Sequence, residues 1–474
     1  MLIFSVAALI LFTSHSGYSQ SIEGIGNGRF VESYSIDLID NYDSMDVTEL
    51  NADGFPDMVM ISESLNRLIY LESNPDGILQ ISAVYDIVYP SSFYEILMID
   101  FDLDGLDDCL LLSTDGVLLY LERQVSGFSE IPLVIPGSNF VTGFHVADLD
   151  GDGFEDLILT TLPGIVGGGD THIFSSMGNS ELTLSPTSFP TANNVTTTDI
   201  GSDGDQDLYL VGSQITILEN LGGMDFQQLQ VVDVPEEADN VLVGEILIDD
   251  PDGNYTPDLL LFPVSEYGVY VFPGSLQGTL GSPFFGHENE LELSSEHVLA
   301  NLKGEGSDDL IYLNGLENEF QVLRADGADG IPFGSSDHYD VDPSSTCLTV
   351  SDFDQNGTLD VAVTSSTTGF LRVFFGKMPD ADFSRGDVNR DGAIDLADPV
   401  ASLTTLFVAS NSALCMDAMD CDDNGSIDLS DPIILLNFLF SSGQSLPEPF
   451  GICAEDQTDD LLECSVTQVS GNCS

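Results

Sequence analysis

Basic residues are nearly missing from this chain: 9 Lys and Arg stand against 80 Asp and Glu, for a formal net charge of −71. Such a surface repels phosphate backbones and anionic headgroups, which excludes nucleic acid and acidic lipid as partners. Staying compact at that charge requires ionic screening of the kind a saline medium supplies. Long apolar runs are missing as well. The opening MLIFSVAALILF is too short for a stable spanning helix and gives way to small and polar residues, with Gly17 and Ser19 ahead of Gln20. Although it has no early Lys or Arg, the segment 1–19 reads as a signal peptide. No later stretch is long and apolar enough to span a bilayer, so the mature chain is expected to be secreted and soluble. Catalytic spacings are absent too. His145, His172, His287, His297 and His338 show no HExxH pattern, and no GxSxG precedes a helix.

What the chain has instead is aspartate in a recurring pattern, D-x-[DN]-x-[DN]-G-x-x-D, roughly every 50 residues. The fullest copy is DLDGDGFED, with Asp148, Asp150, Asp152 and Asp156 at positions 1, 3, 5 and 9 and Gly153 at 6. Asp100, Asp102, Asp104 and Asp108 around Gly105 repeat it, as do Asp352, Asp354, Asn356 and Asp360 around Gly357. Glu49, Asn51, Asp53 and Asp57 form an earlier copy. Oxygens crowded this closely repel one another unless a hard cation lies among them, and Ca2+ accepts about six to eight of them. The glycine permits the sharp turn around the ion. Three further copies are degenerate. Asp199, Asp203, Asp205 and Asp207 keep Gly204 but have Gly201 at position 3. DDPDGNYTPD keeps Asp250, Asp252 and Gly253 with two extra residues before Asp258, and NLKGEGSDD carries Lys303 at position 3. The Lys303 ammonium would compete with a cation, so no calcium is expected there.

Each of these seven units continues into a β-rich run such as DMVMIS, DCLLLS or DLILTT, then a second such as RLIYLE or GVLLYLE. Short strands at this period predict a mainly β fold, a seven-bladed β-propeller of four-stranded blades, with an eight-bladed ring or an open solenoid as the alternatives. The last unit stops near Lys377 without an outer strand, while GNGRFVESYSIDL, from Gly26, reads as that strand placed ahead of the first loop. Joining the two would close the ring and leave no open edge. On these loops and strands, residues 22–380 resemble the FG-GAP or VCBS repeat family, the propeller of integrin alpha subunits and many bacterial secreted proteins; the propeller domain is taken as 20–380. The resemblance implies calcium loops joining the first two strands of each blade, and ligand loops on the opposite face. There LPGIVGGGDTH, from Leu162 to His172, is long and Gly-rich, and YPSSFYE offers Phe93 and Tyr94 for stacking on a sugar ring.

Beyond the linker KMPDADFSRG the chain changes character, and 381–474 reads as a separate calcium-binding domain with a disulfide-rich tail. Asp387, Asn389, Asp391, Asp395 and Asp398 occupy positions 1, 3, 5, 9 and 12 of a calcium loop. Asp420, Asp422, Asn424, Asp428 and Asp431 repeat them. Each loop runs into an apolar helix, PVASLTTLFVA or PIILLNFLF, whose first-turn proline is tolerated. The last acid is Asp, where typical EF-hands have a bidentate Glu. Two loops about 33 residues apart with one helix each resemble a dockerin over residues 385–465. The resemblance implies a calcium-folded plug that docks onto a cohesin on another protein, most often in polysaccharide-degrading systems. Its partner-reading positions would be Leu396, Ala397, Leu429 and Ser430. Clostridial examples carry small polar residues there, so a different cohesin, or a non-cohesin partner, is expected. Cys415, Cys421, Cys453 and Cys464 read as two disulfides whose pairing the sequence leaves open. Zinc is the alternative, disfavoured by the lack of a CxxC pair and by an oxidising compartment.

Counting carboxylates does not exclude an acid–base pair, but nearly every clustered aspartate is already assigned to a metal loop, which explains them better. The rival reading is a calcium-dependent polysaccharide lyase or glycoside hydrolase built on the propeller. Lyase chemistry on acidic pectins calls for Lys or Arg at the uronate, and the repeats hold only Arg29, Arg67, Arg123, Lys303, Arg324, Arg372 and Lys377. The expectation is therefore a non-catalytic, calcium-binding scaffold or adhesion protein for a neutral glycan or a protein.

Overall fold

An aspartate followed by an unbroken aliphatic run gives a strand with two apolar faces, which suits the middle of a covered sheet. In the computed structural model each such run is that strand: Asp57–Ser62, Asp108–Ser113, Asp156–Thr161, Asp207–Val211, Asp258–Pro263, Asp309–Asn314 and Asp360–Ser365, all buried along their length. The structure describes residues 22–23, 28–38, 40–51, 53–124, 127–133, 141–161, 171–176, 182–185, 189–200, 203–235, 238–246, 257–263, 268–275, 278–287, 297–303, 307–315, 317–325, 333–377, 383–389, 391–408, 415–441, 445–452, 462 and 464. The signal-peptide segment lies outside them. By packing, the chain divides into two compact units, Tyr34–Asn356 with Asp360–Val373, and Phe374–Ser474 with Ile25–Ser33 and Gly357–Leu359.

Seven antiparallel sheets form the blades. Blade one runs Ser44–Thr48, Asp57–Ser62, Arg67–Glu72 and Gln80–Asp86, and the next five follow the same order. In the seventh sheet the order is Phe30–Asp37, Phe370–Gly376, Asp360–Ser365, Ser345–Ser351, so the earliest long strand supplies the outer edge of the last blade. The Leu38 N–H donates to the Gly369 carbonyl at 2.8 Å, and the Lys377 N–H to the Arg29 carbonyl at 2.9 Å. Innermost strands meet at the same seam. Thr346 Oγ1 donates to the Tyr42 carbonyl at 3.2 Å, and Cys347 Sγ to the Asp43 carbonyl at 2.8 Å. Seven blades closed in this way replace the eight-bladed and open alternatives. One unexpected addition is Ile22–Glu23, which lies parallel to His297–Asn301.

The core lies between blades as well as within them. Leu68 and Tyr70 of blade one pack with Ile96, Leu111 and Leu119 of blade two, and Leu97, Leu110 and Tyr120 of blade two pack with Phe144 and Leu157 of blade three. Phe93 and Tyr94 belong to this core. They are 0 % and 8 % exposed at the start of an innermost strand, so the expectation that they stack on a sugar fails: their alternation matched a buried strand rather than a loop. His297 is buried too, with its ring 3.9 Å from that of Phe262 and 6.2 Å from that of Tyr312. Burial pushes its pKa down to about 3. Stability from this site is therefore complete above the unfolded value near 6.5 and is lost as pH falls toward 3. His297→Phe should gain about 2 kcal/mol on the wild type between pH 8 and pH 5, read from urea unfolding at both. Equal pH dependence of the two proteins would refute it.

The second unit is built around two helical turns of chain that repeat. Helix α1 (Ala397–Val408) packs on α3 (Ser430–Ser441), with α2 (Met416–Met419) between them in sequence. Val388, Met419, Cys421, Leu435 and Leu446 are its core. Cys415 is bonded to Cys464; Cys421 is a buried thiol, and Cys453 lies outside the described residues. Among the described residues no helix is long and apolar enough to cross a membrane.

Candidate metal centres

The position-9 aspartates Asp57, Asp108, Asp156, Asp207, Asp258, Asp309 and Asp360 are at most 6 % exposed, and in Asp57, Asp108, Asp156, Asp207 and Asp258 the two oxygens are divided between two backbone donors. Oδ2 accepts the N–H of loop position 2: Leu50 at 2.8 Å, Phe101 at 3.3 Å, Leu149 at 3.0 Å, Ile200 at 2.6 Å and Phe353 at 2.8 Å. Oδ1 accepts an N–H at or just past the end of the third strand: Ser73 at 2.8 Å, Arg123 at 2.6 Å, Ser176 at 2.9 Å and Asn220 at 2.6 Å. Asp258 and Asp309, in the degenerate loops, keep the same bonds to Gly274 and Ala325, both at 2.9 Å. This residue therefore pins the loop and the third strand to the second strand, whatever else it binds. Burial raises its pKa, to about 6 for Asp108 and about 7 for Asp156 and Asp207. The loop pattern assigns Asp57, Asp108, Asp156, Asp207 and Asp360 as ligands alone, and gives Asp258 and Asp309 no role. Their persistence in the two loops least suited to metal was the signal for the second role.

Ahead of it, the loop coils on its own backbone. Asp148 accepts the N–H groups of Gly151 and Gly153 at 2.8 and 3.0 Å, Asp150 that of Asp152 at 3.1 Å, and Asp152 that of Phe154 at 3.0 Å. Asp100 takes Asp104 and Gly105 at 3.0 and 2.9 Å, and Asp352 takes Asn356 at 3.0 Å. The turn requires left-handed backbone at position 6, with φ of +87° at Gly105, +89° at Gly153 and +92° at Gly357. Asp100, Asp102 and Asp108 bring one oxygen each within 4.8 Å of one another, as do Asp148, Asp150 and Asp156, and Asp352, Asp354 and Asp360. Such an all-carboxylate set fits a hard divalent cation better than zinc. In blade one Glu49 and Asn51 both accept the Asp53 N–H, at 3.1 and 2.9 Å; in blade four Asp199 accepts Asp203 and Gly204 at 3.0 and 3.1 Å, and the Asp205 N–H goes to Asp203 at 3.2 Å. Gly201, Asp250, Asp252 and Gly253 lie outside the described residues.

The second unit repeats this geometry twice. Asp387 accepts Asp391 and Gly392 at 3.1 and 3.0 Å, and buried Asp398 accepts Asn389 and Asp395 at 3.1 and 2.8 Å. Asp420 accepts Asn424 and Gly425 at 3.2 and 2.8 Å, and buried Asp431 accepts Cys421 and Asp428 at 3.0 and 2.8 Å. Asp420, Asp422 and Asp431 bring oxygens within 4.8 Å of one another. Asp395 and Asp428 instead accept the N–H groups of Ala397 and Ser430, at 2.7 and 2.6 Å, and so also serve as the first-turn acceptors of the two helices.

At the other end of the strands a polar cleft of about 480 Å3 is lined by Glu63, Ser64, Leu65, Asn66, Pro90, Ser91, Ser92, Thr114 and Asp115. It holds part of the YPSSFYE segment, through Pro90, Ser91 and Ser92 rather than the aromatics. Of the Gly-rich segment from Leu162 to His172, residues 162–170 lie outside the described residues.

Together these features define a mainly β, seven-bladed propeller with acidic loops between the first two strands of its blades. The FG-GAP-like repeat family matches residues 100–159, the span from the loop of blade two to the second strand of blade three. No curated protein matches the chain. Among solved structures, crystals of BBS1N in complex with ARL6DN, soaked with lead or with mercury, are similar at 10 % and 11 % identity and a TM-score of 0.50, covering 73 % of this chain and 96 % of theirs. A functionally unknown protein from Desulfotomaculum acetoxidans DSM 771 is similar at 16 % identity and a TM-score of 0.39, covering 66 % of this chain and 90 % of its own.

Proposed function

We propose that this is a secreted calcium-binding protein without covalent chemistry of its own, whose propeller is a rigid binding platform for a glycan or a protein and whose C-terminal unit is a dockerin-like plug for a cohesin-like partner. The observation that carries the plug is a duplicated apolar stripe. Leu396, Val400 and Phe407 are 52 %, 54 % and 68 % exposed, and Leu429, Ile433 and Phe440, each 33 positions later, are 49 %, 53 % and 70 % exposed. Within each set the spacing is helical, so each forms one face that runs from just before its helix to the last turn. Six large apolar side chains left in water at matching positions favour a protein partner over a soluble ligand. Ala397 and Ser430, on the same turns, extend the face. The solved propeller of BBS1N in a complex supports protein binding by this fold.

Calcium is the ion this reading assigns to the loops of both units, because it tolerates irregular all-oxygen shells. At a free concentration about 100 times its dissociation constant, each occupied site should add about 2.7 kcal/mol. Thermal unfolding in calcium and in chelator measures this, and equal melting temperatures would defeat the assignment. Docking is tested by capturing a secreted partner on the full chain, purifying it, and titrating it against the paired change Phe407→Asp and Phe440→Asp. The expected partner carries a cohesin-like β-sandwich and loses at least about 100-fold in affinity. Undiminished binding would remove the helices from the docking face. Reducing ends or unsaturated uronate released from polysaccharides by the purified protein would favour the lyase or hydrolase reading.

A further inference from the structure

In five of the seven blades strand register brings a polar or charged residue from outside the loop pattern beside the loop. Leu71, Leu121, Phe174, Leu218 and Leu323 pair with position 10, that is with Met58, Cys109, Leu157, Leu208 and Leu310. The next residues along are Glu72, Glu122, Ser175, Glu219 and Arg324. In blade three Ser175 Oγ donates to Asp150 Oδ2, at loop position 3, over 3.2 Å. In blade two Glu122 holds the same register position, one residue past the partner of Cys109. Blade six has Lys303 at position 3 and Arg324 at the strand end. The Arg324 guanidinium, in a residue 4 % exposed, meets Asp309 at 3.4 Å and Asp337 at 2.5 Å. Asp309 feels both cations.

We propose that this strand-end residue decides, together with the loop, which blades take a divalent cation: Glu72, Glu122, Ser175 and Glu219 favour the ion, whereas Arg324 and Lys303 give blade six a fixed positive charge in its place. The proposal rests on the calcium reading above. A guanidinium bonded to the buried carboxylate already balances its charge, and an incoming dication would meet like charge on two sides. Repairing the loop by itself is therefore insufficient.

Bound calcium is counted by equilibrium dialysis and site affinities by calorimetric titration, both on the full chain. K303D alone should leave the wild-type stoichiometry unchanged, and K303D combined with R324E should raise it by one. E122Q should weaken a single site by about tenfold through the lost charge. An added ion in K303D alone overturns the proposal. Should the double variant fail to fold, partly exposed Glu122 still decides, because an unchanged titration of E122Q overturns it as well. Wild-type protein that binds no calcium would instead defeat the underlying assignment, and this proposal with it.

Discussion

Asp156→Ala is expected to cost about 2–5 kcal/mol in chelator, while Asp150→Ala in the same buffer stays within about 0.5 kcal/mol of the wild type. The difference follows from what each carboxylate holds. Asp156 is buried and accepts the N–H groups of Leu149 and Ser176, at 3.0 and 2.9 Å; alanine would leave both donors without their acceptor. Asp150 is partly exposed, and its partners, the Asp152 N–H and the Ser175 hydroxyl, can turn to water. In calcium each variant should lose an ion's contribution in addition, so both losses grow while the gap between the two persists. Urea unfolding in both buffers separates the roles, and equal losses in chelator would mean that the position-9 aspartate is a ligand and nothing more.

Arg385→Leu should destabilise the C-terminal unit by about 3–5 kcal/mol, since it strips the partners from several buried carbonyls at once. Arg385 is fully buried. Its guanidinium donates to the carbonyls of Asp417 at 3.1 Å, Asp420 at 2.7 Å and Glu448 at 3.2 Å, and pairs with Asp423 at 2.9 Å. One side chain thus fastens the segment before the first loop to α2, to the second loop and to the segment after α3. Arg385→Lys keeps the charge but not the planar fork, and should recover little of the loss. Protease resistance of the helices in the full chain gives the readout; a lysine variant as resistant as the wild type would show that charge alone suffices.

The propeller was legible because its signal repeats: the second strand of every blade begins at the aspartate that ends the loop pattern, and the outer strand placed ahead of the first loop is where the spacing located it. Phe93 and Tyr94 misled because a loop signal, YPSS, runs without a break into an innermost strand, and periodicity does not mark where burial starts. Arg385 went unnoticed within what read as a linker, since nothing in local sequence announces a side chain whose partners lie 32 to 63 residues away. Arg324 was noted only as one of few cations; its place beside Asp309 needed the register of two strands. The polar cleft was illegible for a different reason. The cleft at Glu63 and Asp115 is assembled from separate turns with no shared motif.

The pairing of Phe30–Asp37 with Phe370–Gly376 has a consequence for how the chain comes to be made. A ribosome delivers the first of these strands more than 300 residues before the second. Throughout that interval both the outermost strand and the last-formed blade present bare amide edges, the surfaces on which chains join one another. Closing so long a loop is entropically slow rather than prohibitive, because the penalty grows only with the logarithm of its length. Any shortened product ending before Phe370 would keep its edge open for good, and should be recovered as aggregate where the full chain is monomeric.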